Sequence, residues 1–162
     1  MKDTLFYLKQ ANKEAWEARK RGNTPFGAIL VGPDGKILLR QGNIEITEKD
    51  CTGHAESALM RRASIKYSKD FLWECILYST FEPCAMCSGA VYWGNVGKLV
   101  FGTTEKRLLE LTGDDAQNPT FDLPCREIFA RGQKKIKVLG PFPEFEEESI
   151  KPHEGFWNKN RS

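Results

Sequence analysis

Three neighbouring stretches constrain this chain more than anything else in it: "ECILYST", "PCAMCSGAVYWG" and "KLVFGT", all between residues 74 and 103. The first and last are short apolar runs rich in strand formers, and the middle one can open a helix at Pro83. Upstream, "FGAILV", "GPDG" and "KILLRQG" read as a β-hairpin, with Pro33, Asp34 and Gly35 supplying the bend. From Asp3 to about Arg21, Leu5, Leu8, Ala11, Ala15 and Ala18 recur at helical spacing, and Gly22 is a natural stop. "NIEITEKDCTG" is a polar loop, and "HAESALMRRASI" returns to helical spacing. Shorter helices are expected near residues 106–111 and 124–130, on either side of the turn-rich "TGDDAQNP", and "KKIKVLG" is expected as a last strand. Strands that alternate with helices predict an α/β domain, a sheet layered between helices that begins with an antiparallel hairpin.

A chain of 162 residues with 40% hydrophobic and 28% charged residues can bury roughly 70% of its unfolded surface and carry one core. Residues 1–162 are therefore expected to form a single domain. A net charge of +2 leaves no electrostatic footprint for a nucleic-acid backbone. No stretch approaches the ~20 apolar residues that span a bilayer, and the N-terminus has no leader pattern, so a cytoplasmic protein without membrane contact is expected. Five cysteines without an export signal point to reduced thiols. The segment 141–162 differs from the rest: it holds three prolines, five glutamates against three basic residues, and Phe142, Phe145, Phe156 and Trp157. That apolar load predicts a segment that docks.

Cys84 and Cys87 stand three apart, on one face of the expected helix. With Pro83 in the first turn, both sulfurs would meet unpaired backbone N–H groups that favour thiolate. His54 offers a third donor, leaving one tetrahedral position open, the mark of a catalytic zinc. Glu56, two residues on, is placed to move protons without coordinating. A dithiol redox pair remains an alternative, although this C-x-x-C comes late for a thioredoxin-like order. So does a closed structural site with Cys51, Cys75, Cys125 or His153 as fourth ligand.

At these residues the chain resembles the cytidine deaminase-like superfamily of zinc nucleobase and nucleoside deaminases, whose signature is H-x-E followed by P-C-x-x-C. The likeness runs from about residue 20 to 105 through "TPFGAILV", Asn43, "HAE", "CILYSTFEPCAMCSGAVYWG" and "LVFG". Within it, "PFGA", "C-x-G-A-x-Y-W" and the aromatic, acidic C-terminal segment are most similar to bacterial and plant guanine or guanosine deaminases. The resemblance implies a three-layer α/β/α fold with a five-stranded mixed sheet, and a homodimer whose C-terminal segments are exchanged between subunits. It implies one zinc ion per chain on His54, Cys84 and Cys87, Glu56 as proton shuttle, and hydrolytic release of ammonia. Asn43 would hydrogen-bond the base, Phe26 would lie against it and Trp93 would wall the pocket.

A guanine-like base presents an N–H and an amine at its amidine end, which a carboxylate would read. Asp115 and Glu147 are the expected readers, and isocytosine carries the same fragment. A small-molecule base or nucleoside is thus the expected partner. The acidic tail disfavours the tRNA adenosine deaminase alternative. The shared core leaves cytosine or cytidine open, and a zinc-stabilised binding module without catalysis is the reading outside enzymes.

Overall fold

The computed structural model describes residues 2–157. The elements run α1 (Thr4–Lys20), β1 (Gly27–Val31), β2 (Ile37–Gly42), α2 (Ala55–Lys66), α3 (Lys69–Trp73), β3 (Ile76–Phe81), α4 (Ala85–Gly94), β4 (Lys98–Thr103), α5 (Glu105–Thr112), α6 (Cys125–Ala130), β5 (Lys137–Leu139) and α7 (Pro143–Ile150), closed by a 3₁₀ turn at Lys151–His153. All expected elements are present. The short α3 has no counterpart in the sequence reading, because five residues cannot display a helical period; Ser68 caps it by accepting the Phe71 N–H.

The sheet order is β2-β1-β3-β4-β5. β1 is antiparallel to both β2 and β3, while β3, β4 and β5 are parallel, so the sheet is mixed and five-stranded as the resemblance implied. Alternation along the strands supplies two cores. Ala28, Leu30, Leu77, Leu99 and Phe101 face α2, α4 and α6, and Ile29, Val31, Tyr78 and Val100 face α1 and α7. These are the outer layers of a three-layer α/β/α fold. α1 lies so close to β1 that a Cβ on Gly27 would stand 2.1 Å from the Ala11 carbonyl oxygen, which only glycine permits.

The C-terminal segment docks on its own chain. Phe145 is 1% exposed and packs among Tyr7, Leu8, Tyr78 and Val100. Asn12 donates to the Glu148 carbonyl at 3.0 Å, and the Arg19 guanidinium donates to the carbonyls of Pro152 and Glu154 at 2.7 and 2.6 Å. Residues 158–162 of the expected docking segment lie outside the described residues. No helix among the described residues is long and apolar enough to cross a membrane.

The same topology prepares a site. Because β1 runs against β2 and β3, its first residues lie beside the last residues of both, with Gly27 opposite Gly42 and Ala28 opposite Ser79. Phe26, Asn43 and Glu82 therefore meet at one end of the sheet, where the N-termini of α2 and α4 also point.

Candidate active site

His54 is the N-cap of α2 and Cys84 the N-cap of α4. Pro83 thus precedes the helix rather than opening its first turn, and Cys87 sits one turn in. Both cap side chains are turned toward one another. The Sγ atoms of Cys84 and Cys87 lie 3.5 and 3.6 Å from His54 Nδ1, and the three ligand atoms all fall within 4.8 Å of one another. Two thiols and an imidazole converging at a pair of helix N-termini are a donor set that suits zinc. Among the described residues no other cysteine, histidine or carboxylate joins the cluster, so the fourth-ligand alternatives are not met. Cys75 and Cys125 are buried elsewhere, whereas Cys51 is exposed on the cavity wall.

The bond between the two thiols pushes their pKa values apart, and with burial it holds Cys87 well above the usual thiol range. The hydrogen bond with Cys87, and secondarily His54, bring the Cys84 thiol down to about 4, against the cost of burial. The Cys84 thiolate in turn raises His54 to about 9. His54 Nε2 faces the carboxylate of Glu45, with Oε2 at 3.8 Å.

Glu56 is 6% exposed. Burial pushes its carboxyl above the usual range, and hydrogen bonds with the Ser79 hydroxyl and the Cys87 thiol pull it back. Ser79 Oγ donates to Glu56 Oε1 at 2.5 Å. The carboxylate opens, with His54 and Cys84, onto a cavity of ≈ 320 Å³, at the small end of the range for small-molecule sites.

Phe26 and Asn43 line this cavity. Asn43 is buried, and its Oδ1 accepts the Glu45 N–H at 3.0 Å, which leaves its Nδ2 as the free donor. Three expected contacts are not made. Trp93 is 74% exposed on the outer face of α4, against Tyr92 and Lys134, and does not wall the pocket, because the opposite face of α4 carries the buried Cys87 and Val91. Asp115 is spent on its own turn, accepting the Gln117 N–H at 2.9 Å, and its neighbours Gln117 to Phe121 line the cavity in its place. Glu147 points to solvent from α7, whose inward face is taken by Phe145 and Ser149.

Several lining residues were not foreseen: Phe81, Glu82, Met86, Glu105 and Leu108. Glu82 was detectable in principle as a charge between an apolar run and Pro83. It ties two helix starts to the sheet, its Oε1 accepting the Glu105 N–H at 3.1 Å and its Oε2 the Cys125 N–H at 3.0 Å. Nothing local marks Glu105. Behind the cavity, His153 packs on Phe26 and Phe81 with centroids 5.1 and 4.7 Å apart, and its Nδ1 accepts the Trp157 Nε1–H at 2.9 Å.

Residues 1–103 match the model of the cytidine and deoxycytidylate deaminase zinc-binding region. The chain is 36% identical over 157 residues to a probable cytosine deaminase of Schizosaccharomyces pombe, covering 97% of this chain and 94% of that one. It is 40% identical over 101 residues to the tRNA-specific adenosine deaminase of Bacillus subtilis, 62% of each chain. The crystal structure of a guanine deaminase from Bacillus subtilis superposes with a TM-score of 0.60 at 25% identity, covering 98% of both chains. With the donor cluster at the helix N-termini and the mixed sheet that carries it, these likenesses place the chain in the family of zinc-dependent cytidine and deoxycytidylate deaminases.

Proposed function

We propose that this chain hydrolytically deaminates a free nucleobase, with cytosine as the leading substrate. The observation that carries the reaction is Glu56, a buried carboxylate held by Ser79 and open to the cavity that His54 and Cys84 share. His54, Cys84 and Cys87 would hold zinc, which when bound would supply a Lewis acid that makes water a nucleophile near neutral pH. Glu56 takes one proton as water attacks the amine-bearing carbon and gives it to the adjacent ring nitrogen, then takes the remaining proton of the new hydroxyl as the carbonyl forms and gives it to the departing amine, which leaves as ammonia. Asn43, its oxygen already committed, offers Nδ2–H to a ring carbonyl, and Phe26 supports the ring face.

One observation favours cytosine over guanine, the substrate expected from the sequence: the likeness to the probable cytosine deaminase runs through the C-terminal segment, whose His153 and Trp157 pack on Phe26. Guanine, with isocytosine beside it, is the second reading, supported by the fold shared end to end with a guanine deaminase. RNA is disfavoured by the acidic tail. A binding module without catalysis has no use for a buried carboxylate facing the cavity. Trp93, exposed on the same face of α4 as the part-exposed Met86, supports a homodimer, which light scattering of the zinc-loaded protein tests.

Ammonia release from cytosine, guanine, isocytosine, cytidine, guanosine, adenine and a tRNA anticodon stem-loop tests the assignment. Cytosine is expected to react fastest. Turnover of guanine alone would put the second reading first, and turnover of the RNA alone would overturn both.

A further inference from the structure

Among the described residues, Glu105 is a carboxylate of the cavity wall that neither the reaction above nor a hydrogen bond of the fold occupies. It is the first residue of α5 and 6% exposed. Its backbone N–H is taken by Glu82, whose two oxygens each hold a backbone donor. The Glu105 carboxyl itself has no hydrogen-bond donor among the described residues, although it lines the same cavity as Glu56, His54 and Asn43. A carboxylate in the first turn of a helix is favoured by the dipole, but that role is filled equally well in solvent and does not account for burial. Burial, with repulsion from Cys84, Glu56 and Glu82, pushes this group up to about 8. A buried acceptor without a donor is costly, and one that faces a cavity is satisfied by whatever enters.

We propose that the Glu105 carboxyl accepts the ring N–H that a free nucleobase presents and a nucleoside lacks, and thereby selects bases over nucleosides. The inference deepens the deaminase reading and rests on it. In cytosine the amine-bearing carbon and the carbonyl are assigned to Glu56 and Asn43, which leaves N1–H as the ring donor without a partner. In cytidine that nitrogen carries the sugar, so the carboxyl would be left unpaired against a bulky group. Sites that hydrogen-bond a substrate N–H or O–H reject analogues lacking it far more strongly than apolar pockets reject an extra methylene.

The experiment compares kcat/KM for cytosine, 1-methylcytosine and cytidine in the zinc-loaded wild type and in Glu105→Leu, with zinc content and melting temperature recorded. The wild type is expected to prefer cytosine over 1-methylcytosine by more than about tenfold. Glu105→Leu is expected to lose about tenfold or more on cytosine, mainly through KM, while its rate on 1-methylcytosine holds or rises, so that the preference collapses. Equal losses on both substrates would show a structural role and overturn the inference. Should Glu105→Leu fail to bind zinc, wild-type competition decides: 1-methylcytosine inhibiting as well as unlabelled cytosine would overturn it. If guanine is the substrate, guanine against 9-methylguanine replaces the pair. Absence of turnover on every free base is seen in the wild type alone and removes the deaminase reading together with this one.

Discussion

Ser79, in the middle of β3, donates its hydroxyl to Glu56 in the first turn of α2 across 2.5 Å, 23 residues away along the chain. Both are buried, so the bond is made out of competition with water and holds the carboxylate in one orientation toward the cavity. Removing the hydroxyl leaves a charge-assisted bond unmade, worth about 1.5–3 kcal/mol. Ser79→Ala is expected to lower kcat by roughly 10- to 100-fold with zinc content unchanged. Glu56→Gln should retain fold and zinc and lose about 10²–10⁴-fold in turnover. An unaffected rate in Glu56→Gln, measured by ammonia release, would show that another group moves the proton.

Zinc follows the three donors. Wild-type protein should contain about one zinc per chain by elemental analysis. Cys87→Ala, which removes a fully buried sulfur from the cluster, should hold little or none and be inactive. Exhaustive chelation of the wild type should abolish activity, and stoichiometric zinc should restore it.

His153 makes the docked tail sensitive to acid. Burial, with the positive charge of Arg19 adding to it, lowers this imidazole from 6.5 to about 3. In the folded chain it therefore stays neutral where the unfolded chain already binds a proton. Unfolding takes up a proton between these values, so stability falls as pH drops below about 6.5 and goes on falling to about 3, by up to about 1.4 kcal/mol per pH unit. His153→Phe should flatten this part of the profile. Urea denaturation at pH 7.0, 5.5 and 4.5, followed by tryptophan fluorescence, checks it; parallel curves for the two proteins would refute it.

The tail is held chiefly by Phe145, wedged so close to Gly102 that a Cβ there would lie 2.4 Å from the ring. Phe145→Ala should cost about 3–5 kcal/mol in denaturant unfolding. Arg19→Ala removes the two carbonyl contacts at Pro152 and Glu154. It should raise protease cleavage after residue 140 without altering zinc content.

A chain ending at residue 140 should lose the packing of His153 and Trp157 on Phe26, and with it most activity. Full activity in this truncation would separate the tail from the site.

The element order, the mixed α/β class and the group His54, Glu56, Cys84 and Cys87 were all legible along the chain. Periods of two and 3.6 are set by near neighbours, and the H-x-E and P-C-x-x-C spacings place their side chains through a single helix turn each. Phe26 and Asn43 were legible only through family resemblance. Trp93, Asp115 and Glu147 were read toward a pocket that they do not line, because composition and spacing say that a residue has one face of a helix or turn but not which face meets the sheet. Ser79, Glu105 and His153 carry no local mark of these roles, and Glu82 only that of a charge between an apolar run and Pro83, since each matters through a partner far off in sequence. The sequence by itself determined the strands, the helices and the metal donors, which are consequences of adjacency. Only the tertiary structure decided what surrounds them: antiparallel pairing of β1 with β2 and β3 carries Phe26, Asn43 and Glu82 to one sheet end, and burial there gives Glu56 and Glu105 their chemistry.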